Sequence, residues 1–484
     1  MDRQEMAEST SNILLEPIKK NKHKMSHAAN ALLSPLLSTV VNNLSAKSFG
    51  KLFSVASRFT DEENKPGLLT IAKMCNEEDP QVIGWLRALK KLSPNCRKKL
   101  LQNLIINHSV LGAAEREKNK EKLGTNIPFL VLLSPTYACN LECVGCYSML
   151  YGHKYHFEKE EMYSILTQFY NMGVRMFTFT GGEPFVCPYI FDIFKDFDDC
   201  YFMIYTNGIL LKEKRVKQLA ELGNVAITIS IEGGEEYTDW RRGEGVFKKT
   251  CETRKLLKEY GVLTGASVMA TRDNHEDMMS NEFWKFLQDE NVEYVWTFQY
   301  MPTGADADIN LVPTAEQRYQ RFHKLEEMRV NGSFAFLADF WNHGFLVNGC
   351  MSGGSNYLHI NAKGGAEPCV FQPYAADNVR DKKIIDILKS KFFEGYKKDI
   401  PFNDNLMQPC PIIDNPSEFR KHIQDVGAVP QYDGADGYLK FSNELDQIAK
   451  DWEKYAIKIW KNEGYGEQYA AEHNCYTACG CQGK

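Results

Sequence analysis

The spacing of apolar residues along the chain changes near residue 127. Before that point apolar residues recur at helical spacing, and the clearest stripe follows the segment Ser34–Pro35. Pro35 is predicted to lie in the first turn of this helix. Helical patterns continue to about residue 116, so residues 1–126 are predicted to form an all-helical region. The stripe consists of Leu36, Leu37, Val40, Val41 and Leu44.

From residue 127 onward, short apolar runs alternate with amphipathic helical stretches. The first run, IPFLVLLSP, predicts a buried strand at residues 127–135. Strands that alternate with helices are typical of a parallel α/β sheet or barrel. We therefore predict an α/β core over residues 127–310. Its five further strands are predicted at residues 175–184, 201–208, 224–234, 263–271 and 293–304.

Polar and glycine-rich segments follow four of these predicted strands. A cysteine-rich loop follows the first strand, and TGGEP, YTNG and SIEGG end the next three. In parallel α/β folds, ligands bind at the carboxyl ends of the strands. The sequence therefore predicts a ligand site at that edge.

After residue 310 the alternation stops, and the segment GCMSGGSNYLHINAKGGAEPCVF predicts a hairpin with its turn at NAKGG. Residues 311–425 are predicted to form a small separate domain. Residues 426–484 are predicted to form a helical tail that ends in the cysteine-rich segment HNCYTACGCQGK.

Composition narrows the class of protein. The chain has 484 residues, of which 43% are hydrophobic and 25% charged, and this is typical of a globular protein. Its net charge of -6 argues against a nucleic-acid partner. Neither a secretion signal nor an apolar stretch long enough to span a bilayer is visible, so we expect a cytoplasmic protein.

The 14 cysteines are the unusual part of the composition. Cytosolic thiols stay reduced, so clustered cysteines indicate metal ligands or redox groups. Cys139, Cys143 and Cys146 have the spacing C-x3-C-x2-C on the loop after the first strand. A structural zinc site needs four ligands, whereas three cysteines suit an iron–sulfur cubane with one open iron. The alternatives are three incidental cysteines or a zinc site with a distant fourth ligand.

These motifs together resemble one known family. The segment CNLECVGCY resembles the signature of the radical S-adenosylmethionine (SAM) superfamily, and GGEP, YTNG, SIEGG and RRGEGVF resemble its later motifs in order. The resemblance covers roughly residues 127–305. It implies a partial (β/α)6 barrel whose [4Fe-4S] cluster is held by Cys139, Cys143 and Cys146, with SAM on the fourth iron.

The resemblance also implies SAM contacts at matching positions. The glycine-rich turn would offer a backbone carbonyl and the Glu183 carboxylate to the SAM amino group. Arg242 would pair with the SAM carboxylate, with Arg241 as an equally placed neighbour, and Tyr147 would pack near the adenine. The implied SAM-binding residues are Tyr147, Gly181, Gly182, Glu183, Pro184, Thr206, Asn207, Ser230, Glu232 and Arg242.

Family chemistry follows from the same resemblance. A low-potential donor such as ferredoxin or flavodoxin would supply one electron. SAM would then yield a 5′-deoxyadenosyl radical that takes hydrogen from an unactivated carbon. The class would be an oxidoreductase or a transferase that forms C–C or C–S bonds. The alternative from another class is a non-enzymatic iron–sulfur protein for electron transfer or sensing.

Cys350, Cys369 and Cys410 form a second set, around the predicted hairpin. The segment resembles the opening of the SPASM extension or its shorter Twitch form, which implies an auxiliary [4Fe-4S] cluster. Its fourth position is either open or filled from elsewhere. The candidates for that position are Asp414, Cys475, Cys479 and Cys481.

Two substrate classes remain open. SPASM relatives often modify peptides or proteins, yet the N-terminal region reads as all-helical rather than as a winged-helix peptide-binding module. The apolar stripe and the basic run Lys19–Lys24 would instead suit a lipid substrate and a peripheral membrane contact. An apolar tunnel from the helical region to the cluster would favour a lipid, and an open polar cleft would favour a peptide.

Overall fold

The computed structural model describes residues 27–62, 64–304 and 306–478. The basic run Lys19–Lys24 and the cysteines Cys479 and Cys481 lie outside the described residues. The N-terminal region is helical, and its apolar stripe packs inward, with Leu37 and Val40 buried in the main core. Its helices are His27–Asn42, Ala46–Ala56, Lys65–Asn76, Pro80–Lys91, Pro94–Lys99 and Gly112–Leu123, with a π-helix at Leu100–Leu111.

Pro35 lies inside the first described helix, not in its first turn. The prediction for this residue was wrong because the helical pattern extends further toward the N-terminus, where the helix already begins at His27. The carbonyl oxygen of Pro35 accepts a hydrogen bond from the Thr39 hydroxyl (2.9 Å).

The α/β core contains all six predicted strands, so the predicted fold class is confirmed. The strands pair in parallel, in sequence order. A seventh parallel strand, beyond the predicted limit at residue 310, pairs with the sixth. The strands are β1 Leu130–Leu133, β2 Met176–Phe179, β3 Tyr201–Thr206, β4 Val225–Ile231, β5 Thr264–Ala270, β6 Tyr294–Gln299 and β7 Phe336–Asp339.

The predicted hairpin is present, formed by β8 (Tyr357–Ile360) and β9 (Gly365–Glu367) as an antiparallel pair. Strand β8 also pairs in parallel with β1, on the side opposite β2. Strand β11 (Asp377–Asn378) then pairs with β9, so one ten-stranded sheet runs from β11 to β7. The segment that carries the second cysteine set is thus joined by hydrogen bonds to the strand that leads into the first set.

Helices cover the sheet and connect its strands. Because parallel strands are buried on both faces, they read as almost continuous apolar runs, as LVLL does in β1. The helices within the core are Lys159–Asn171, Ile190–Asp196, Glu213–Leu222, Glu235–Arg242, Val246–Glu259, His275–Met279, Asn281–Asp289 and Ala315–Val330. Those that follow are Ile384–Leu388, Lys391–Asp399, Pro416–Asp425, Gly437–Lys440, Ser442–Ile457 and Tyr465–Ala478, with a second π-helix at Lys458–Asn462. A two-stranded sheet pairs β10 (Tyr374–Ala375) with β12 (Val429–Pro430).

No helix among the described residues is both long enough and apolar enough to cross a membrane.

A buried ion pair fixes the end of β7 to helix Ala315–Val330. The Arg321 Nε donates to the Asp339 Oδ2 (2.7 Å), and both side chains are almost fully buried. Burial alone would raise the pKa of Asp339, but the charge and hydrogen bond of Arg321, together with the charges of His343 and Arg318, outweigh this effect and the pKa is lowered. The stability from this pair is therefore present at neutral pH and is lost as the pH falls through the pKa of folded Asp339.

We expect Arg321→Ala to lower the free energy of unfolding by about 3–5 kcal/mol, because it leaves the Asp339 carboxylate buried without its partner. Anaerobic urea unfolding at neutral pH measures this change. The matched control is Arg420→Ala, whose pair with Asp446 is partly exposed and should be worth less than about 1 kcal/mol. If both variants lost the same free energy of unfolding, the buried pair would not stabilise the fold more than the exposed pair does, and the prediction would be wrong.

Candidate functional site

The loop that carries Cys139, Cys143 and Cys146 leaves β1 at the carboxyl edge of the sheet. Two hydrogen bonds attach it to helix Glu235–Arg242: the Val144 amide donates to the Arg241 carbonyl (2.9 Å), and the Arg241 Nε donates to the Val144 carbonyl (3.2 Å). All three cysteines line a cavity of about 200 Å³.

The turn after β2 packs directly against the start of this loop. The Gly182 amide donates to the Thr136 carbonyl and the Glu183 amide donates to the Ala138 carbonyl, both at 2.9 Å. A Cβ atom at Gly182 would overlap the Ala138 carbonyl oxygen and lie 2.7 Å from that of Tyr137. Glycine at this position therefore allows the backbone of the turn to approach the cysteine loop closely.

Glu183 lies behind the cavity wall, where its carboxylate ties two strand ends together. It accepts hydrogen bonds from the Thr206 hydroxyl (2.8 Å), the Asn207 amide (2.9 Å) and the Phe185 amide (3.0 Å). Burial raises the pKa of Glu183, although these hydrogen bonds oppose the change. Gly181 and Gly182 line the cavity, whereas Glu183 and Pro184 are not among its lining residues in the described chain.

Thr206, Asn207 and Ser230 line the same cavity from the ends of β3 and β4. The Asn207 side-chain amide donates to the Asn140 side-chain oxygen (2.9 Å), next to Cys139. The motifs after four strands thus meet at one edge.

A cluster of charges forms one wall of the cavity. Arg241 and Arg242 both line it, and both donate to the same oxygen of the buried Glu232, at 2.6 and 2.5 Å. Burial alone would lower the pKa of Arg242, but the nearby Glu232 and Cys143 raise it. Two cations share one carboxylate, so the wall keeps a net positive charge that favours an anionic ligand group. Glu232 itself lies behind the two arginines.

Tyr147 follows the last loop cysteine and lines the cavity. Its hydroxyl hydrogen-bonds the Thr180 hydroxyl (2.9 Å), and its ring lies 6.0 Å from the Phe371 ring between centroids. The remaining wall is largely apolar and was not predicted from the sequence. Period-two alternation within β5 and β6 would have indicated four of its members. These residues are Ser267, Met269, Trp296, Phe298, Phe340, Met351 and Phe371.

The cysteine geometry fits a cluster better than a single ion. Two sulfurs on one zinc ion lie no more than about 4.6 Å apart, because Zn–S bonds are ~2.3 Å long. Neither cysteine trio in the described residues brings all three sulfurs within 4.8 Å of one another. Burial raises the pKa of Cys139 to about 11 and also raises that of Cys143. Holding thiolates there at neutral pH thus needs the positive charge of a bound metal.

Cys350, Cys369 and Cys410 line a second cavity, of about 840 Å³. The Tyr357 hydroxyl donates to the Cys369 sulfur (2.8 Å), and the Cys350 sulfur hydrogen-bonds the Ser352 hydroxyl (2.9 Å). Burial raises the pKa of Cys369 to about 12 and that of Cys410 well above its usual range. The second set therefore resembles the first, because in each set three thiols that are at least partly buried face one cavity.

Among the candidates for a fourth ligand of this set, Asp414 is already engaged. Its carboxylate pairs with Arg318 (2.5 Å) and accepts a hydrogen bond from the Cys410 amide (3.1 Å). Cys475 belongs to helix Tyr465–Ala478, whose last side chains are not described.

The fold and the two cysteine trios define an iron–sulfur protein built on a parallel α/β sheet. Residues 133–281 match the family described as the Radical SAM superfamily, and residues 350–411 match SPASM, an iron–sulfur cluster-binding domain. These two matches support a radical SAM enzyme with a SPASM extension. The first domain implies a [4Fe-4S] cluster and SAM, and the second implies auxiliary iron–sulfur clusters.

Named relatives are similar over little more than half of this chain. The AdoMet-dependent heme synthase of Methanosarcina barkeri is 23% identical over 293 residues, covering 54% of this chain and 82% of the relative. The PqqA peptide cyclase of Bradyrhizobium diazoefficiens is 26% identical over 275 residues, covering 54% and 71%. The structure of Streptococcus suis SuiB bound to its precursor peptide SuiA is also similar. The match covers 60% of this chain and 72% of the SuiB chain, at 16% identity and a TM-score of 0.50. This structural likeness supports the fold alone.

We expect Gly182→Ala to displace the cysteine loop, because its Cβ overlaps the Ala138 carbonyl oxygen. After anaerobic reconstitution the variant should lose the first cluster and hold about four fewer irons per chain. Iron analysis measures the loss, and circular dichroism checks the fold. Gly67→Ala is the control, since its Cβ meets no atom within 4 Å. If Gly182→Ala held as much iron per chain as the wild type, the close contact between this turn and the cysteine loop would not be needed to hold the first cluster, and the prediction would be wrong.

Wild-type protein reconstituted without oxygen should hold about eight irons per chain, in two [4Fe-4S] clusters. Cys350→Ala should reduce this to about four, because it removes one of three thiols facing the second cavity. Cys251→Ala is the matched control, since Cys251 belongs to neither trio. About four irons in the wild type would rule out the auxiliary cluster.

Proposed function

We propose that this enzyme cleaves SAM reductively and takes a hydrogen atom from an unactivated carbon of a peptide, protein or lipid substrate. One observation carries the proposal: Cys139, Cys143 and Cys146 share a cavity with two arginines, two glycines and an aromatic wall. These cysteines would hold a [4Fe-4S] cluster that, once reduced, would supply one electron for cleavage of SAM to methionine and a 5′-deoxyadenosyl radical.

The residues of the chain would position SAM. Arg242, or Arg241 beside it, would pair with the SAM carboxylate, and Glu232 would hold both guanidinium groups in place. Because Gly181 and Gly182 have no side chains, the SAM amino group could bind close to their backbone. Glu183, whose buried carboxylate already accepts three hydrogen bonds from the protein, would act as a positioning residue for Thr206 and Asn207 rather than as a contact to SAM.

The remaining proposed contacts lie on the other side of the cavity. Ser230 would offer its hydroxyl to the ribose, and Tyr147 would pack near the adenine. The aromatic wall would exclude water from the reacting carbon, because a dry cavity prevents competing reactions of a radical. Trp296 and Phe298 belong to this wall.

The proposal includes an electron donor and a substrate. An electron would come from a low-potential donor such as ferredoxin or flavodoxin in the cytoplasm. A peptide substrate is supported by the similarity to the PqqA peptide cyclase. A lipid is supported by the apolar second cavity.

Reduced, reconstituted wild-type protein given SAM should release 5′-deoxyadenosine, detected by liquid chromatography and mass spectrometry. Cys143→Ala should abolish this product, because two loop cysteines cannot hold the cluster in place. Cys251→Ala should keep it. If the wild type with intact clusters releases no 5′-deoxyadenosine, the proposed function is wrong.

A further inference from the structure

The second cavity extends from the N-terminal helices, along the inside of the sheet, to the cysteines of the SPASM segment. Its floor is formed by Phe53, Leu68, Trp85 and the π-helix Leu100–Leu111. The first residues of several strands form its side, including Met176, Tyr201 and Tyr294. Its volume is about 840 Å³, of which an auxiliary cluster on the three cysteines would take a part, and binding sites for organic ligands usually measure about 300–1,000 Å³.

The lining of this cavity is overwhelmingly apolar, and most of its few polar side chains are bonded to protein atoms, although the Trp341 Nε1 and the Gln372 Nε2 have no hydrogen-bond partner among the described residues. Asp339 pairs with Arg321, the Gln372 side-chain oxygen accepts from the Tyr396 hydroxyl, and the Ser109 hydroxyl donates to the Leu104 carbonyl. Each residue of a bound peptide backbone would bring an N–H and a C=O that need partners. A hydrocarbon chain needs none.

The two cavities adjoin. One layer of side chains lines both, so an occupant of the apolar cavity would lie next to the proposed SAM site. These shared residues are Leu130, Met203, Trp296, Phe340, Met351 and Phe371.

At its other limit the cavity reaches the surface. Phe129, Phe336, Leu346 and Val347 line it and are nevertheless exposed. They mark an apolar mouth near β7, the edge strand where the parallel sheet ends.

One wall has an unusual backbone. Leu100–Leu111 is a π-helix of 12 residues, a form that is rare in proteins. Leu100, Leu101, Leu104 and Ile105 from this segment all line the cavity.

We propose that the second cavity binds the hydrocarbon chain of a lipid and presents it to the adjoining site. As a statement about substrate class this rests on the proposed function, whereas binding of the chain can be measured without any reaction. The apolar lining, the volume, the exposed apolar mouth and the shared wall together carry the proposal.

Isothermal titration calorimetry on the full reconstituted chain tests it, with octanoate, decanoate, dodecanoate and tetradecanoate as probes. Affinity should rise about fourfold for each added methylene buried, until the cavity is full. Affinity that does not depend on chain length, or no binding by any probe, would overturn the proposal. Both results are obtained with wild-type protein, so neither depends on whether a variant folds.

Leu104→Trp should weaken dodecanoate binding at least tenfold, that is by about 1.4 kcal/mol or more, because the larger ring fills the cavity. The matched control is Leu222→Trp, on helix Glu213–Leu222, which is likewise partly buried but lines neither cavity. Loss in Leu104→Trp with retention in Leu222→Trp supports the site. Equal binding by both variants overturns it.

The two proposals fail separately. If wild-type protein releases 5′-deoxyadenosine but binds no fatty acid, the lipid site is wrong and the SAM chemistry stands. If it binds fatty acids with the expected chain-length dependence but cleaves no SAM, the site stands and the proposed function is wrong. The lipid assignment would also be wrong if an apolar peptide displaced dodecanoate and bound with the same affinity.

Discussion

The pairing of β1 with both β2 and β8 is the constraint on which the two cysteine sites depend. At the carboxyl end of β1, the Ser134 hydroxyl hydrogen-bonds the His359 Nε2 (2.8 Å), and the His359 Nδ1 hydrogen-bonds the Glu367 carboxylate (2.6 Å). The Tyr151 hydroxyl donates to the same carboxylate (2.6 Å) from beyond the cysteine loop. All of these side chains are buried, and a buried network of this kind stabilises only when its members are satisfied together.

This arrangement explains how two sites far apart in sequence share one environment. The loop of Cys139–Cys146 begins just after Ser134, and Cys369 follows Glu367 by two residues. The hydrogen-bonded register of β1 and β8 therefore places the first cavity next to the second. The cofactors implied by the two domains carry the difficult chemistry, and the chain contributes the position and dryness of the reacting groups.

Much of the fold could be predicted from local patterns. The six strands have continuous apolar runs between turn residues, and the ligand motifs follow directly at their carboxyl ends. Strand β7 was missed because it lies beyond residue 310, where the visible alternation of apolar runs and helical stretches stops. The pairing of β8 with β1 joins residues more than 200 positions apart, and no local pattern encodes such a register.

The site was predictable in its residue types but not in their roles. Spacing identifies the loop cysteines, whereas only packing shows that Glu183 is engaged by Thr206 and Asn207 and that Arg241 and Arg242 share Glu232. The second cavity depends on helices, strands and the SPASM segment coming together, so it has no signal in any single stretch of sequence. A fold of this kind supports many reactions, and the substrate follows from the cavity rather than from the fold.

The most direct test of the central claim is the electron paramagnetic resonance spectrum of the reduced Cys350→Ala variant, in which the loop cluster is expected to be the only one left. Three cysteine ligands leave one iron for SAM. Adding SAM should therefore shift the g values of the cluster signal. A spectrum that stays the same with saturating SAM would contradict the account, because it would mean that SAM does not reach the iron that the three cysteines leave open.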